Sequence, residues 1–100
     1  MECYLEVGND LDIYKDVEIL PENTYEIFKA KRADAASVVL EVIAIVTPIT
    51  LPLIAGIIKE RIRAKKYVKV KMDGIELQGL SEQSVERILR EHSDKSESHD

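Results

Sequence analysis

The chain has no tryptophan, one cysteine, two histidines and four glycines, and aromatic residues make up 5% of its 100 positions. A lone cysteine excludes an internal disulfide framework and suits a reducing compartment. Zinc-type sites need more ligands than one cysteine and two distant histidines offer, and no ligand spacing occurs, so neither a metal nor a cofactor is expected. Gly8, Gly56, Gly74 and Gly79 stand alone, which excludes a glycine-rich loop that cradles phosphate. Positive charge is in deficit: Lys and Arg number 14 against 19 Asp and Glu, a net charge of −5. That balance argues against a protein that coats nucleic acid. Met1-Glu2-Cys3 begins with an acid, and no cationic stretch leads into an apolar run, so no secretory signal is expected.

Aliphatic residues are what the chain does have. Hydrophobic residues make up 45% of it, enough for one core of Ile, Val, Leu and Ala, and its length fits a single domain over 1–92 with a disordered polar tail over 93–100. The apolar content is concentrated in Ala35 to Ile58, where Glu41 is the only charge. From Val42 to Ile58 there is none. Seventeen residues rise about 25 Å as a helix, at the lower edge of what crosses a hydrocarbon core of about 30 Å, which makes the run a marginal transmembrane candidate. Apolar residues cover every helical face of this run, so protein or lipid must cover it. Pro48 and Pro52 interrupt it, and two helical halves are expected, the first capped near Asp34 and the second reaching Arg63. Thr47 either bonds the carbonyl freed by Pro48 or, like Thr50, caps the second half.

Flanking elements follow from pattern. Cys3, Leu5 and Val7 alternate with polar residues as a strand ended by Gly8-Asn9-Asp10, after which Asp10 caps a helical turn or a second strand follows. Val17 and Ile19, then Tyr25, Ile27 and Lys29, alternate like strand residues. Asp73-Gly74 divides two alternating stretches from Tyr67 to Gln78, predicting a C-terminal β-hairpin with Val68, Val70, Met72, Ile75 and Leu77 facing a core. Ser81 caps a short amphipathic helix with Val85, Ile88 and Leu89 on one stripe and exposed Glu86–Arg90 and Arg87–Glu91 pairs. The expected class is α+β: a small mixed sheet with this hairpin, a long proline-broken apolar helix and a C-terminal amphipathic helix.

No catalytic residue is assigned. Cys3 reads as a small hydrophobe, His92 as a packing residue, and His99 lies in the tail, each without a chemical partner. Charge is segregated: before Phe28 the only base is Lys15, whereas Lys59, Arg61, Arg63, Lys65, Lys66, Lys69 and Lys71 follow the apolar run. These are either solvated charges or a basic collar that meets anionic lipid or an acidic partner. The expected contact residues are Val46, Ile49, Leu53, Ile57, Lys59, Arg61, Arg63, Lys65 and Lys66.

The order of elements, and the stretch Val68 to Leu89 in particular, with Val-Lys-Val-Lys-Met-Asp-Gly-Ile-Glu-Leu followed by Ser-Glu-Gln-Ser-Val-Glu-Arg-Ile-Leu, resembles the effector-associated constant component family of bacterial conflict and signalling systems. The resemblance implies a non-enzymatic adaptor or switch coupled to an effector protein, and supplies no catalytic residue. The sequence therefore leads to a cytoplasmic protein-interaction module that binds a protein partner or a second copy of itself. Two alternatives stand beside it. One is an inner-membrane protein anchored by 42–58 with its C-terminus cytoplasmic. The other is a small acidic inhibitor, of the kind phages encode, of a nucleic-acid-binding enzyme.

Overall fold

Five of the eight residues from Val38 to Ile45 are β-branched, and here the chain is a strand where the apolar run predicts a helix. β-branched side chains lose rotamer freedom on a helix and pack well on a pleated surface. The computed structural model describes residues 1–31 and 38–97, the last three by backbone alone. In order these are β1 (Glu2–Val7), α1 (Asp12–Asp16) with a 3-10 turn (Val17–Ile19), β2 (Tyr25–Lys31), β3 (Val38–Ile45), α2 (Thr50–Arg63), β4 (Val68–Met72), β5 (Ile75–Glu76) and α3 (Val85–Glu97). The strands form one sheet in the order β2-β3-β1-β4-β5, every neighbouring pair antiparallel. The class is α+β, with an antiparallel sheet in place of a mixed one.

Register assigns the two faces. Cys3 lies opposite Ala44 and Met72, Leu5 opposite Val42 and Val70, and Val7 opposite Leu40 and Val68. All of these but Val68 are buried, and they meet Leu51, Ile54, Ala55, Ile58, Val85 and Leu89 from the helices in one core. The opposite face of the sheet carries Tyr4, Glu6, Glu41, Ile43, Lys69 and Lys71, and none of the described helices packs on it. There Tyr4 holds a hydrogen bond with Glu41 and lies under the Lys71 ammonium, 5.7 Å from the ring centroid.

The prolines separate a strand from a helix. Residues 46–49 carry the turn, and Thr47 caps α2: its hydroxyl accepts the N–H groups of Thr50 at 3.0 Å and Ile49 at 3.2 Å, while the Thr50 hydroxyl accepts the Thr47 N–H at 2.8 Å. Pro52 falls in the first turn of α2, directly after the Leu51 N–H that donates to the Thr47 carbonyl at 2.9 Å. The long broken helix is thus corrected to β3 plus a helix of 14 residues. The cap expected at Asp34 lies outside the described residues.

Two further expectations change at the C-terminal end. Asp73 and Gly74 turn at positive φ, 53° and 77°, and Lys71–Glu76 and Met72–Ile75 pair in the expected register, but β5 has two residues. Beyond it the Leu77 N–H donates to the Val70 carbonyl at 2.8 Å, and the strand does not extend to Gln78. Ile75, expected in the core, is 58% exposed, because β5 lies at the sheet edge beyond the helix layer. Ser81 opens α3 as expected, its hydroxyl accepting the Ser84 N–H at 3.2 Å. The helix continues past Ser93, the expected start of the polar tail, to Glu97. Ser93 is buried on the same side as Val85 and Leu89.

Candidate interaction surface

Within α2 the buried positions are Thr50, Leu51, Ile54, Ala55, Ile57, Ile58 and Arg61, a helical stripe that ends in a cation. Arg61 is 2% exposed, so its charge requires partners. Its Nη2 lies 3.1 Å from Asp10 Oδ2, its Nη1 3.4 Å from Asp16 Oδ2, and its Nε donates to the Tyr67 carbonyl at 3.5 Å. The C-terminus of α2 then closes with Lys65 at φ 57°. There the Lys65 N–H donates to the Ile62 carbonyl and the Lys66 N–H to the Arg61 carbonyl, the paired bonds of a Schellman motif. That reversal brings Lys66 Nζ within 3.3 Å of Asp10 and 3.1 Å of Asp12. Asp10 also accepts the Asp12 N–H at 3.0 Å. This backbone donor, then Lys66 and Arg61, hold the Asp10 carboxyl below the usual carboxylate range against the opposing effect of partial burial. The same acids raise the Lys66 ammonium above its ordinary value.

These ion pairs hold the segment 10–19 against α2, and that placement creates a groove. Ile19, 59% exposed, faces the outer side of α2 across a shallow, open channel of about 350 Å³. Pro52, Leu53, Gly56 and Ile57 line the apolar part, and Asp16, Lys59 and Glu60 carry its charge. Gly56 keeps the floor low, since a Cβ built there meets nothing within 4 Å. Leu53, Ile57 and Lys59 from the expected contact set come together here. The remainder disperse: Val46 is half-buried against the core, Ile49 is 70% exposed on the turn before α2, and Arg63 pairs with Glu60 and Glu82.

The basic collar is therefore corrected. Arg61 and Lys66 are neutralised by Asp10, Asp12 and Asp16, Arg63 by two glutamates, and Lys69 lies 3.9 Å from Glu76. Lys59, Lys65 and Lys71 remain without an ion pair among the described residues, Lys71 lying over the Tyr4 ring instead. The charge segregation along the chain is largely an internal complementarity. Arg61, expected on the surface, is instead buried: its position three residues beyond Ile58 and seven beyond Ile54 places it on the core stripe.

Other candidate groups are spent structurally. Cys3 is fully buried under the helices, and burial pushes its thiol up to about 12. His92 is half-buried near the end of the α3 stripe. Among the described residues no group of three His, Cys, Asp or Glu is placed to hold a metal ion, and no helix is long and apolar enough to cross a membrane. The stretch 42–58 is instead divided between β3, a turn and α2. The chain has no significant match among family models, curated proteins or solved structures.

Proposed function

We propose that this chain is a non-enzymatic protein-interaction module, an adaptor or regulatory component whose groove along α2 receives an amphipathic helix of a partner protein. The observation that carries this reading is the groove itself: apolar at Ile19, Pro52, Leu53, Gly56 and Ile57, and flanked by Asp16, Lys59 and Glu60, of which the two acids are paired with Arg61 and Arg63. A volume of about 350 Å³ suits two or three apolar side chains at i, i+3 and i+4 spacing from a docked helix, and Lys59 favours an acidic residue beside them. Few polar groups converge on a point where a small substrate would be held. The partner class that the family resemblance implies is an effector protein of a conflict or signalling system.

The test is selection of a displayed library of amphipathic helices on the protein, with affinities then measured against Gly56→Gln. Glutamine forms helix better than glycine, and nothing lies within 4 Å of its Cβ, so the variant fills the groove without disturbing the fold. Selected helices are expected to share two or more apolar anchors and an acid. They should bind Gly56→Gln at least tenfold more weakly, and Lys59→Glu should weaken them in low salt. Failure to enrich any helix, or equal affinity for Gly56→Gln at unchanged Tm, would overturn the proposal.

A further inference from the structure

The face of the sheet turned away from the helices is crossed at one end by a trough. Glu2 lies opposite Ile45, and Tyr4 and Glu26 both lie opposite Ile43, so these side chains share that face across β1, β3 and β2. Two open hollows meet there along Glu2 and Ile43. One, of about 650 Å³, runs past Ile45 to Glu22 and Glu26. The other, of about 610 Å³, runs past Tyr4 to Lys71 and the turn at Asp73-Gly74. The trough lies at the Tyr25 and Ala44 end of the β2–β3 pair, about 20 Å from the end at Lys31 and Val38.

Ile43 and Ile45 make an apolar floor, half-buried and 43% exposed respectively. The sides are acidic: Glu2, Glu22 and Glu26 are exposed and make no ion pair among the described residues. The acids beside α2 differ, since Asp10, Asp12 and Asp16 are answered by Arg61 and Lys66. Lys29 and Lys31 do not offset the glutamates, because they lie opposite Leu40 and Val38, in step with the core-facing Val42 and Ala44. The basic side chain that does line the trough, Lys71, stands over the Tyr4 ring at its far end. Thr24 holds the Glu22 turn closed, its N–H and hydroxyl both donating to the Pro21 carbonyl, at 3.3 and 2.5 Å.

Charge of this sign calls for a cationic occupant, and the spacing of the carboxylates excludes a single ion. Glu2 and Glu26 stand two strands and two residues apart, about 12 Å between their α-carbons. Among the described residues no three acids converge on a metal position. Spaced cations on apolar stems meet this pattern, and arginine and lysine side chains supply both parts. Their methylene stems can lie on Ile43 and Ile45 while the charged heads reach the glutamates. A bare polyamine matches the charges but leaves hollows of this width unfilled, and a nucleic acid is repelled by them.

We infer that this trough is a docking surface for a basic segment of a partner protein, one that carries two or more arginine or lysine side chains spaced to meet Glu2, Glu22 and Glu26 across the isoleucine floor. The trough lies on the side of the sheet opposite α2 and differs from the α2 groove in the charge it selects: the groove favours an acid beside its apolar anchors, the trough a base. The two surfaces are therefore separable, and a variant that closes one is expected to leave the other in place.

Binding of a short labelled peptide of alternating arginine and leucine, followed by fluorescence anisotropy at low salt and mapped by amide NMR shifts, tests it. The shifts are expected to centre on 2–4, 24–26 and 43–45. The triple change Glu2→Gln, Glu22→Gln, Glu26→Gln should weaken binding at least tenfold, whereas the charge-matched change Glu18→Gln, Glu86→Gln, Glu91→Gln should weaken it less than about threefold. Ile43→Thr, which keeps a β-branched residue on the strand, should weaken it severalfold at a Tm close to the parent's, and Gly56→Gln should leave it unchanged. No binding, equal losses in the two triple variants, shifts centred on α2, or displacement of the peptide by spermine at an equal concentration of positive charge would each overturn the inference.

Discussion

Arg61 Nη2 and Asp10 Oδ2 stand 3.1 Å apart although 51 residues separate them along the chain. The two groups are unequally buried, 2% exposed for the arginine and 27% for the aspartate. Removing either one therefore leaves a different orphan. Asp10→Ala leaves a guanidinium in the interior with Asp16 at 3.4 Å as its remaining carboxylate, and is expected to cost roughly 2–4 kcal/mol. Arg61→Met leaves two carboxylates that water can reach and fills the volume with an apolar chain, so its cost should be about 1 kcal/mol or less. Urea unfolding of the two variants checks this, and the reverse order would show that Arg61 is not held chiefly by Asp10.

The same carboxylate sets a pH dependence. Its folded pKa lies below the ordinary value near 4, so the stability it contributes is complete above that value and is lost as pH falls through the lower, folded one. Urea midpoints measured between about pH 6 and pH 2 should decline at the acid end, and Asp10→Asn should flatten part of that decline. Lys66, whose pKa is raised, acts at the opposite end: its contribution is present below the ordinary lysine value and fades as pH rises above it. A parent and an Asp10→Asn profile of equal slope would remove Asp10 from the account.

Leu53 and Ile54 are neighbours on α2 with opposite duties. Ile54 is 1% exposed in the core, whereas Leu53 is half-buried on the groove. Ile54→Ala should cost about 2–5 kcal/mol through lost burial and the cavity left behind. Leu53→Lys should cost about 1 kcal/mol or less, because a lysine stem can lie along the groove with its ammonium in water. Thermal denaturation distinguishes the two. An unfolded Leu53→Lys would mean that the groove is closed by the protein's own chain.

The elements with a complete local signature are legible in the sequence. β1 shows its alternation, α3 its stripe and its 86–90 and 87–91 pairs, and the turn at Asp73-Gly74 its residue types. β3 is not, because a central strand under a helix layer carries a nearly continuous apolar run, which resembles a buried helix by periodicity alone. Its β-branched composition is the signal that separates the two, but the run passes without a charge from Val42 through the turn at 46–49 into α2, so strand and helix read as one long segment. The polar side of the groove is hidden for a different reason. Asp10, Asp12 and Asp16 look like a solvated acidic stretch until the sheet carries them to the end of α2. Half of the candidate surface is visible as Leu53, Ile57 and Lys59, and its other wall, Ile19, depends on a contact distant in the chain.

Lys65 provides a last test, of the helix terminus that directs Lys66 to the acids. It occupies the left-handed position of the Schellman motif at φ 57°, a conformation in which a Cβ is strained and glycine is not. Lys65 makes no ion pair among the described residues, so Lys65→Gly removes strain without removing a contact. The variant should gain up to about 1 kcal/mol in urea unfolding, offset in part by the greater freedom of glycine in the unfolded chain. Lys65→Val should lose at least as much, since a β-branched residue tolerates positive φ worst. If glycine proved no better than lysine while valine was harmless, the α2 terminus would not be held in this conformation, and the placement of Lys66 on Asp10 and Asp12 would fail with it.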